Sequence, residues 1–446
     1  MEYAREEIMS GVMLTHIRSD KFKTACISVN LLTQLRRETA AMNALLPLVL
    51  RRGTALYGDM EAISRRLDEL YGASVSPSAR RIGEIQCIGL TATFPEAAFL
   101  PAGENVTQNV ISLLCEMLLD PATRGGLLLQ EYVNSEREKL AEVIRSRINN
   151  KGSYSMMRCL QEMCCFEDYA CGRFGRLEEC EEIRYRKLTK QYREVLSTAP
   201  VEIFYCGRET REEIRARLRD ALCTMPRGEL RFDIGTDVRM NTVEEQARKV
   251  TEEMDISQAR LVLGFRLGEI MEEPDKPALS VFNALYGSGV TSRLFTNVRE
   301  RMQLCYSVTS IIDAHKGIML AAAGIDGQTA EQAKDEILHQ LDEIRDGSIT
   351  GEELEIAKAG VLSDLAAMLD NPGVLESFCM GNLIDGFDVT PEEYASLVRE
   401  VTREDVIAIA KSIVLDMVYL LKGGETAFEE EEDEVREIDG PEDLGE

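Results

Sequence analysis

Hydrophobic residues in the first half of the chain follow two regular spacings. Between residues 24 and 33, apolar side chains recur at every second position, which predicts a β-strand with one buried face. Residues 105–119 carry apolar side chains three and four positions apart, which predicts an amphipathic helix. Related patterns predict further helices over residues 38–50, 59–70 and 130–148 and further strands over residues 85–94 and 201–206.

The second half of the chain repeats this order of elements. Residues 259–267 alternate as a strand does, and residues 330–344 have helical spacing. The remaining patterns predict helices over residues 278–286, 293–301 and 352–369 and strands over residues 317–325 and 416–421. Such a duplication indicates two related domains.

Strands and groups of helices are segregated along each half, which is typical of the α+β class. A Pro-Arg-Gly turn ends at Gly228, and a polar run over residues 241–255 follows it. We therefore predict a first domain over residues 1–228 and a second over residues 229–424. Residues 425–446 hold twelve acids and one Arg, so we expect a disordered acidic tail there.

The charge and length of the chain restrict its class. A chain of 446 residues is long enough for two or more domains. Its formal net charge of −27 argues against nucleic acid or an anionic membrane as a partner. The charged N-terminus is not typical of a signal peptide, and no apolar run approaches the roughly 20 residues that span a bilayer. We therefore expect a cytoplasmic protein.

Twelve cysteines occur, and none belongs to a Cys-x-x-Cys pair. This usage fits reduced thiols better than a disulfide framework. Five of them lie close together in sequence, at Cys159, Cys164, Cys165, Cys171 and Cys180. Small apolar residues on helix faces are the favoured interpretation, and metal or redox chemistry is the alternative.

Histidine is scarce, which restricts metal chemistry. The chain has three histidines, His16, His315 and His339, and no two are closer than 24 residues. Neither His-x-x-Glu-His nor His-Glu-x-x-His can therefore occur, because both need two histidines four positions apart on one helix face. We expect no zinc site in this chain.

One segment nevertheless resembles a metallopeptidase motif. Residues 43–54 read Asn-Ala-Leu-Leu-Pro-Leu-Val-Leu-Arg-Arg-Gly-Thr, an apolar helix that ends in a basic pair and a Gly-Thr turn. This run is similar to the insulinase-like (pitrilysin-type) zinc peptidases, where a helix with His-x-x-Glu-His leads into Gly-Thr. The resemblance places the two ligand histidines at Ala44 and Leu48 and the catalytic glutamate at Pro47. It implies a member of the family without its own metal centre, with two insulinase-like α+β domains, each a mostly antiparallel sheet packed by helices.

The second half carries a longer match to the same family. Residues 287–308 read Gly-Ser-Gly-Val-Thr-Ser-Arg-Leu-Phe-Thr-Asn-Val-Arg-Glu-Arg-Met-Gln-Leu-Cys-Tyr-Ser-Val. In the family, an Arg and a Tyr seven residues later hold the substrate backbone and support the oxyanion. The resemblance places them at Arg299 and Tyr306. The alternative is that Arg299 pairs with a nearby acid and Tyr306 packs in a core.

The third zinc ligand of the family is a Glu on a later helix. The similar run here begins at Asn134 and places Arg145 at the ligand position, with Glu142 nearby. Neither residue is assigned as a ligand, because the spacing from Leu48 is longer than the family usually shows.

The resemblance implies a non-catalytic subunit of a two-chain zinc peptidase. A partner of similar length would bring His-x-x-Glu-His and the zinc, and this chain would bring part of the chamber wall and the Arg/Tyr pair for a peptide or unfolded segment. The rival hypothesis is a peptide-binding or scaffold protein on a retired peptidase fold. Relatives of this branch carry names that link them to modification of elongation factor P. A third hypothesis is a self-contained enzyme that uses the cysteine cluster.

Overall fold

The structure is a computed structural model that describes residues 2–101, 103–239, 246–267 and 275–424. It divides into two compact units that are built from interleaved segments of the chain. The first unit contains Met1–Ser146, Phe166–Asp237 and Leu365–Glu393. The second contains Arg147–Cys165, Val238–Asp364 and the chain from Tyr394 onward.

The first unit is built on a six-stranded sheet in the order β1-β2-β8-β3-β5-β4. Its strand pairs are antiparallel except β2 with β8. Helices α1 and α3 pack against β5, α7 against β3, and α8 against β1 and β2, around one hydrophobic core. The elements of this unit are β1 (Glu2–Met9), β2 (Val12–Arg18), β3 (Thr24–Gln34), α1 (Arg37–Leu50), α2 (Met60–Glu69), β4 (Ser74–Ile82), β5 (Ile85–Pro95), α3 (Val106–Leu119), β6 (Thr123–Arg124), β7 (Leu127–Leu128), α4 (Gln130–Ser146), α6 (Leu177–Glu181), α7 (Tyr185–Thr198), β8 (Val201–Gly207), α8 (Arg211–Ala221) and α12 (Pro372–Ile384).

The second unit is built on a five-stranded sheet in the order β11-β12-β10-β13-β9. Only β9 and β13 pair in parallel. Helix α10 packs against β10 and β12, and α9 packs against β11 and α14. The elements of this unit are α5 (Lys151–Met163), β9 (Arg248–Glu253), β10 (Ala259–Arg266), α9 (Asp275–Tyr286), β11 (Ser307–Asp313), β12 (Ile318–Ile325), α10 (Ala330–Arg345), α11 (Gly351–Met368), α13 (Pro391–Glu400), α14 (Arg403–Ser412) and β13 (Val414–Lys422). A further helical segment, Leu294–Arg301, precedes β11 and is called the signature helix below.

Helix α5 comes from the first half of the chain and packs on the sheet of the second unit. It lies against β10 so closely that a Cβ atom at Gly264 would stand 2.7 Å from the sulfur of Met163. Arg266, on the same strand, donates from Nε to Asp416 at 2.9 Å and from its guanidinium to the Met163 carbonyl at 3.2 Å. The ion pair is buried and also bonded to the helix end, so it ties α5 to the sheet.

Helix α12 makes the reciprocal exchange, since it comes from the second half and packs on β3 and β8 of the first unit. Its Glu376 is buried and accepts a hydrogen bond from Ser28 at 2.8 Å. Arg80 on β4 forms a two-pronged ion pair with the same carboxylate, at 2.6 and 2.5 Å. Each sheet is therefore covered by a helix that is distant in sequence and anchored by a buried charge pair.

The predicted fold class is confirmed. The two mostly antiparallel sheets with packed helices are those of an α+β protein, and the predicted strand at 24–33 and helix at 105–119 lie within one residue of β3 and α3. The domain limits at 228/229 and 424/425 stay predictions, and the expected tail over residues 425–446 lies outside the described residues. No helix in the described part of the chain is long and apolar enough to cross a membrane.

Candidate functional site

The three positions that the resemblance assigns to zinc chemistry lie in the second half of α1. Ala44 and Pro47 are buried, and Leu48 is half-buried and packs against the core of the first unit. Pro47 lies inside the helix and has no N–H, so the carbonyl of Asn43 loses its usual helical partner. This face of α1 is therefore packed apolar structure with no group that binds a metal or moves a proton.

The Gly-Thr turn after α1 has a structural role of its own. A Cβ atom at Gly53 would lie 2.6 Å from the carbonyl oxygen of Gly58, so a larger residue does not fit. The hydroxyl of Thr54 donates to Glu116 at 2.6 Å and accepts from the backbone N–H of Tyr57 at 2.8 Å. The turn therefore needs Gly53 and Thr54 for structural reasons, which explains why they are present although the zinc ligands and the catalytic glutamate are absent.

A buried carboxylate that the sequence analysis missed lies on α4, which packs against α1. Glu136 is 6% exposed and accepts from Arg52 at 3.2 Å and from Lys139 at 2.7 Å. Two cations thus compensate its charge, which is how a buried carboxylate is retained without a metal. The basic pair after α1 and the i,i+3 spacing to Lys139 were the available signals.

The positions considered for the third ligand do not form a site. The side chain of Glu142 is 73% exposed and lies 3.8 Å from Arg145. Arg145 also forms an ion pair with Glu181. Across the described residues, no group of three or more His, Cys, Asp or Glu side chains is arranged to hold a metal ion.

His16 and His339 lie on different elements, a strand and a helix. The Nε2 atom of His16, on β2, lies 2.9 Å from the Glu209 carbonyl, and the ring stacks on Tyr205 with centroids 5.4 Å apart. Burial lowers the pKa of His16 below its usual 6.5. His339 is exposed on α10 and lies 3.7 Å from Glu343. His16 therefore has a structural environment, and His339 a surface one.

The cysteines of the cluster are divided between the two units. Cys159, Cys164 and Cys165 belong to the second unit, and Cys171 and Cys180 to the first. Burial raises the pKa of Cys171 to about 12 and that of Cys180 to about 11. Thiols with such pKa values stay protonated near pH 7, whereas metal binding and nucleophilic attack need the thiolate. Burial of Cys159, Cys164, Cys171 and Cys180 favours their interpretation as small apolar residues, whereas Cys165 is exposed.

The signature helix is wound as a π-helix, in which the Met302 N–H donates to the Asn297 carbonyl at 3.0 Å. The chain then turns at Gln303, whose φ of 54° lies in the left-handed region. The Leu304 N–H closes this turn on the Val298 carbonyl at 3.0 Å. Non-glycine residues seldom adopt this conformation, and π-helical turns occur frequently at functional sites.

Arg293, at the start of the signature helix, is a structural anchor. Its guanidinium donates to both oxygens of Glu353 at 2.9 and 3.0 Å and also to the Ser348 carbonyl. Burial alone would raise the pKa of Glu353, but hydrogen bonds from Arg293 and Thr350 outweigh it and lower that pKa below 4.5. Arg293 therefore holds the start of the signature helix in place.

Arg299 and Tyr306, the predicted substrate-binding pair, lie on either side of the Gln303 turn in the second unit. The Tyr306 side chain is 66% exposed, while its N–H donates to the Gly324 carbonyl on β12 at 2.8 Å. The Arg299 side chain is 40% exposed, lies over the Phe295 ring at 4.6 Å, and reaches Glu300 only at 3.7 Å. Burial raises the pKa of Cys305, next to Tyr306, to about 11 against the opposing charge of Arg299.

These positions bear on the two interpretations of the pair. Tyr306 does not pack in a core, because most of its ring faces solvent. Among the residues that the structure describes, Arg299 makes one weak ionic contact, with its chain neighbour Glu300. The pair presents a fixed cation and a phenolic donor to solvent on a backbone held by β12 and by the left-handed turn, so its role as a substrate-binding pair stays a prediction.

Comparisons with known proteins agree with this picture. Residues 182–361 match the family described as "Peptidase M16 inactive domain". The chain is 29% identical over 431 residues to the "Probable inactive metalloprotease YmfF" of Bacillus subtilis, covering 96% of this chain and all of that protein. It is also similar to a conserved protein from Enterococcus faecalis V583, with 27% identity, a TM-score of 0.84, and coverage of 95% of this chain and 99% of that one.

A more distant neighbour shares the fold. The structure of a peptidase M16 inactive domain from Pseudomonas fluorescens has 17% identity and a TM-score of 0.77, covering 95% of this chain and 98% of that one. The chain is therefore similar to M16 peptidases and to the inactive-type domain of that family, which confirms the resemblance to insulinase-like enzymes.

Proposed function

We propose that this chain is the non-catalytic subunit of a two-chain zinc peptidase. A partner of similar length supplies His-x-x-Glu-His and the zinc. This chain supplies part of the wall around the substrate and the Arg299/Tyr306 pair. The substrate is a short peptide or an unfolded segment of a protein, and the assembly works in the cytoplasm.

The solvent exposure of the Arg/Tyr pair carries the proposal. Arg293 and Ser292 of the same signature are buried, whereas Tyr306 is 66% exposed and the Arg299 side chain is 40% exposed. Polar side chains that a fold does not need are those most readily explained by binding. On α1 of the first unit the zinc-binding side chains are replaced by buried apolar ones, so the metal has to come from another chain.

The chemistry of the pair fits peptide hydrolysis on a partner's metal. The Arg299 guanidinium offers a permanent charge and fixed N–H donors to the carbonyls of a bound peptide. The neutral Tyr306 hydroxyl donates one further hydrogen bond. Donors directed at a developing oxyanion lower the barrier of acyl transfer because they bind the transition state better than the substrate.

The test is turnover of an unstructured peptide by this chain assembled with a His-x-x-Glu-His chain of the same organism. Arg299→Ala and Tyr306→Phe should each lower turnover by about 10²–10³-fold, the usual cost of one oxyanion donor. Assembly and melting temperature should stay unchanged. Arg301→Ala is the matched control, because Arg301 is exposed two positions away and, within the described part of the chain, its side chain donates a hydrogen bond to Asn297 of its own helix.

Two other outcomes contradict the proposal. Wild-type turnover in both variants would show that Arg299 and Tyr306 do not contribute to binding or hydrolysis of the substrate. That result would support the rival function, a peptide-binding or scaffold protein without proteolysis. Chelator-sensitive cleavage by this chain alone, or about one zinc retained per chain on elemental analysis, would show that it has a metal centre of its own.

A further inference from the structure

A cavity of about 850 Å³ in the first unit has two walls of extended backbone. One wall is the end of β3, and the other is residues 229–234, which follow α8 in the chain. Residues 230–237 contain no turn or bend, so the chain is extended there, and we call residues 229–236 the strap. The start of α1 and one side of α7 line the rest of the cavity, and all of these segments belong to the first unit.

The strap is tied to the rest of the unit at two points and is unpaired between them. The N–H of Arg231 donates to the Thr198 carbonyl at 2.9 Å. The side-chain amide of Gln34 accepts from the Gly235 N–H at 2.9 Å and donates to the Gly235 carbonyl at 3.0 Å. Within the described part of the chain, the backbone N–H and C=O groups of residues 232–234 form no hydrogen bond. This stretch therefore has the free backbone edge of an unpaired strand.

The opposite wall, at the end of β3, also has free backbone groups. The Leu35 N–H donates to the Glu84 carbonyl on the β5 side at 2.7 Å. Because successive residues of an antiparallel strand point their backbone groups to alternate sides, those of Leu32 and Gln34 point away from β5, where pairing with β8 ends at residue 31. The Leu32 N–H donates to the Pro200 carbonyl at 2.9 Å, but proline has no N–H to return. Among the described residues, the Leu32 carbonyl and both backbone groups of Gln34 are left without a backbone partner.

Two free backbone edges beside one cavity are suited to an extended peptide. Such a peptide pairs with an open strand edge through main-chain hydrogen bonds, and pockets beside the edge accept its side chains. The amide of Asn43 at this cavity is already bonded to Gln191 and Thr33, so the free polar groups are mainly those of the backbone. The lining offers apolar contacts at Leu32, Val195, Ala199, Leu230 and Ile234.

One corner of the cavity carries a positive charge that no acid compensates. Arg36 lines the cavity and is exposed, and its side chain forms no ion pair or hydrogen bond with any described residue. Arg36 is also the residue before α1, and no side chain caps the first turn of that helix. The first N–H groups of a helix have no partner within the helix and favour negative charge. The guanidinium and these N–H groups together suit a carboxylate.

We propose that this cavity binds a free peptide of about three to four residues in extended conformation, with its C-terminal carboxylate at Arg36. From Arg231 to Gly235 the strap has four extended steps, at most about 13–14 Å, which matches a peptide of that length. The two ties close the gap at both ends, so a longer chain cannot pass through it. Main-chain hydrogen bonds do not depend on sequence, so we expect a broad preference for apolar side chains and a strict need for the carboxylate. This inference does not depend on the proposed peptidase role.

A tryptophan placed on the strap can report binding, because the chain has no tryptophan of its own. Phe232 lines the cavity and is 65% exposed, so Phe232→Trp should fold. The probe is the tetrapeptide Ala-Leu-Ala-Leu with a free carboxylate, added to the full-length protein. We expect a saturable change in fluorescence with a midpoint at or below about 1 mM. Phe166→Trp is the matched control and should show no such change, because Phe166 is 74% exposed in the same unit but lies outside the cavity.

The carboxylate contact is tested by changing each of its partners. Amidation of the peptide's C-terminus, or Arg36→Gln in the protein, should weaken binding at least about tenfold, the usual contribution of a hydrogen bond to a charged group. Arg37→Gln is the control, because Arg37 is exposed, is paired with Glu179 at 2.8 Å and lies outside the cavity. That variant should keep the midpoint within about twofold.

Hydrogen exchange of the unaltered protein locates the bound peptide. Saturating peptide should slow exchange at the amides of residues 232–234 at least about tenfold, because they gain hydrogen bonds, and should leave the Gly125-Gly126 turn between β6 and β7 unchanged. No saturable fluorescence change, an equal change in both tryptophan variants, equal binding of acid and amide, or no protection of the strap would each overturn the proposal. Saturation by acetate at the same concentrations would assign Arg36 to a small anion and would also overturn it.

Discussion

The end of α1 and the segment from Arg293 to Tyr306 both resemble motifs of the family. The two segments differ in which of their motif residues are packed in the fold. At α1 the backbone landmark Gly53-Thr54 remains because a turn needs it, while the reactive positions are apolar and packed. In the second segment, Arg293 serves the fold, whereas Tyr306 is exposed and Arg299 is half-buried with a polar side chain. A landmark therefore points to function only through those of its residues that the fold does not use.

The strongest test of this comparison restores the zinc motif with Ala44→His, Pro47→Glu and Leu48→His. Because these positions are buried or half-buried against apolar neighbours, we expect a loss of about 4 kcal/mol or more in the free energy of unfolding. Chemical denaturation measures the loss, and elemental analysis should find no zinc that survives a mild chelator.

Pro47→Ala alone is the control for that experiment. It restores an N–H to the helix and adds no polar group, so the free energy of unfolding should stay equal or rise by about 1 kcal/mol. If the triple variant instead folded as well as the wild type and held zinc, α1 would be a vacant metal site and the contrast with the second segment would disappear.

Two arginines six positions apart provide the next test. Arg293→Ala should cost about 1–3 kcal/mol of stability, because it leaves the half-buried Glu353 without its partner. Arg299→Ala should cost less than about 0.5 kcal/mol, because its side chain is partly exposed and its ionic contact with Glu300 is weak. Urea unfolding of both variants measures the difference, and equal losses would mean that Arg299 is also a fold residue.

The loss of stability at acidic pH is a smaller effect, and it should occur in different pH ranges for a residue of the first unit, His16, and one of the second unit, Glu353. The folded-state pKa of His16 lies below 6.5, so its contribution to stability is full above that pH and is lost as the pH falls. The folded-state pKa of Glu353 lies below 4.5, so the contribution of Glu353 to stability is full above pH 4.5 and is lost as the pH falls further.

We therefore expect His16→Gln to flatten the pH dependence of stability just below pH 6.5 and Glu353→Gln to flatten it only below pH 4.5. Melting curves recorded from pH 7 to about pH 3 show the two ranges. A Glu353→Gln variant whose deficit relative to wild type persists undiminished at the most acidic pH would mean that the carboxylate charge does not stabilise the second unit.

Much of the fold was predictable because it depends on local spacing. The alternation around β3 and the three-four spacing of α3 fix a period that each element must satisfy wherever it packs. The first strand was missed because β1 is largely polar, with the sequence Glu-Tyr-Ala-Arg-Glu-Glu-Ile-Met. The π-helical winding before Gln303 was also missed, because eight residues are too few for the spacing of apolar side chains to distinguish a π-helix from an α-helix.

The sequence by itself determined what this chain lacks and where its remaining candidate chemistry lies. Three scattered histidines exclude a His-x-x-Glu-His helix in any fold, because ligand spacing along a helix is a local property. Only the tertiary structure decided that α5 and α12 exchange between the units, and that Arg293 is buried while Arg299 is partly exposed. Contacts such as that of Arg80 with Glu376 join residues 296 positions apart. Local sequence patterns cannot predict such contacts, because they specify which face of an element is buried but not which element covers it.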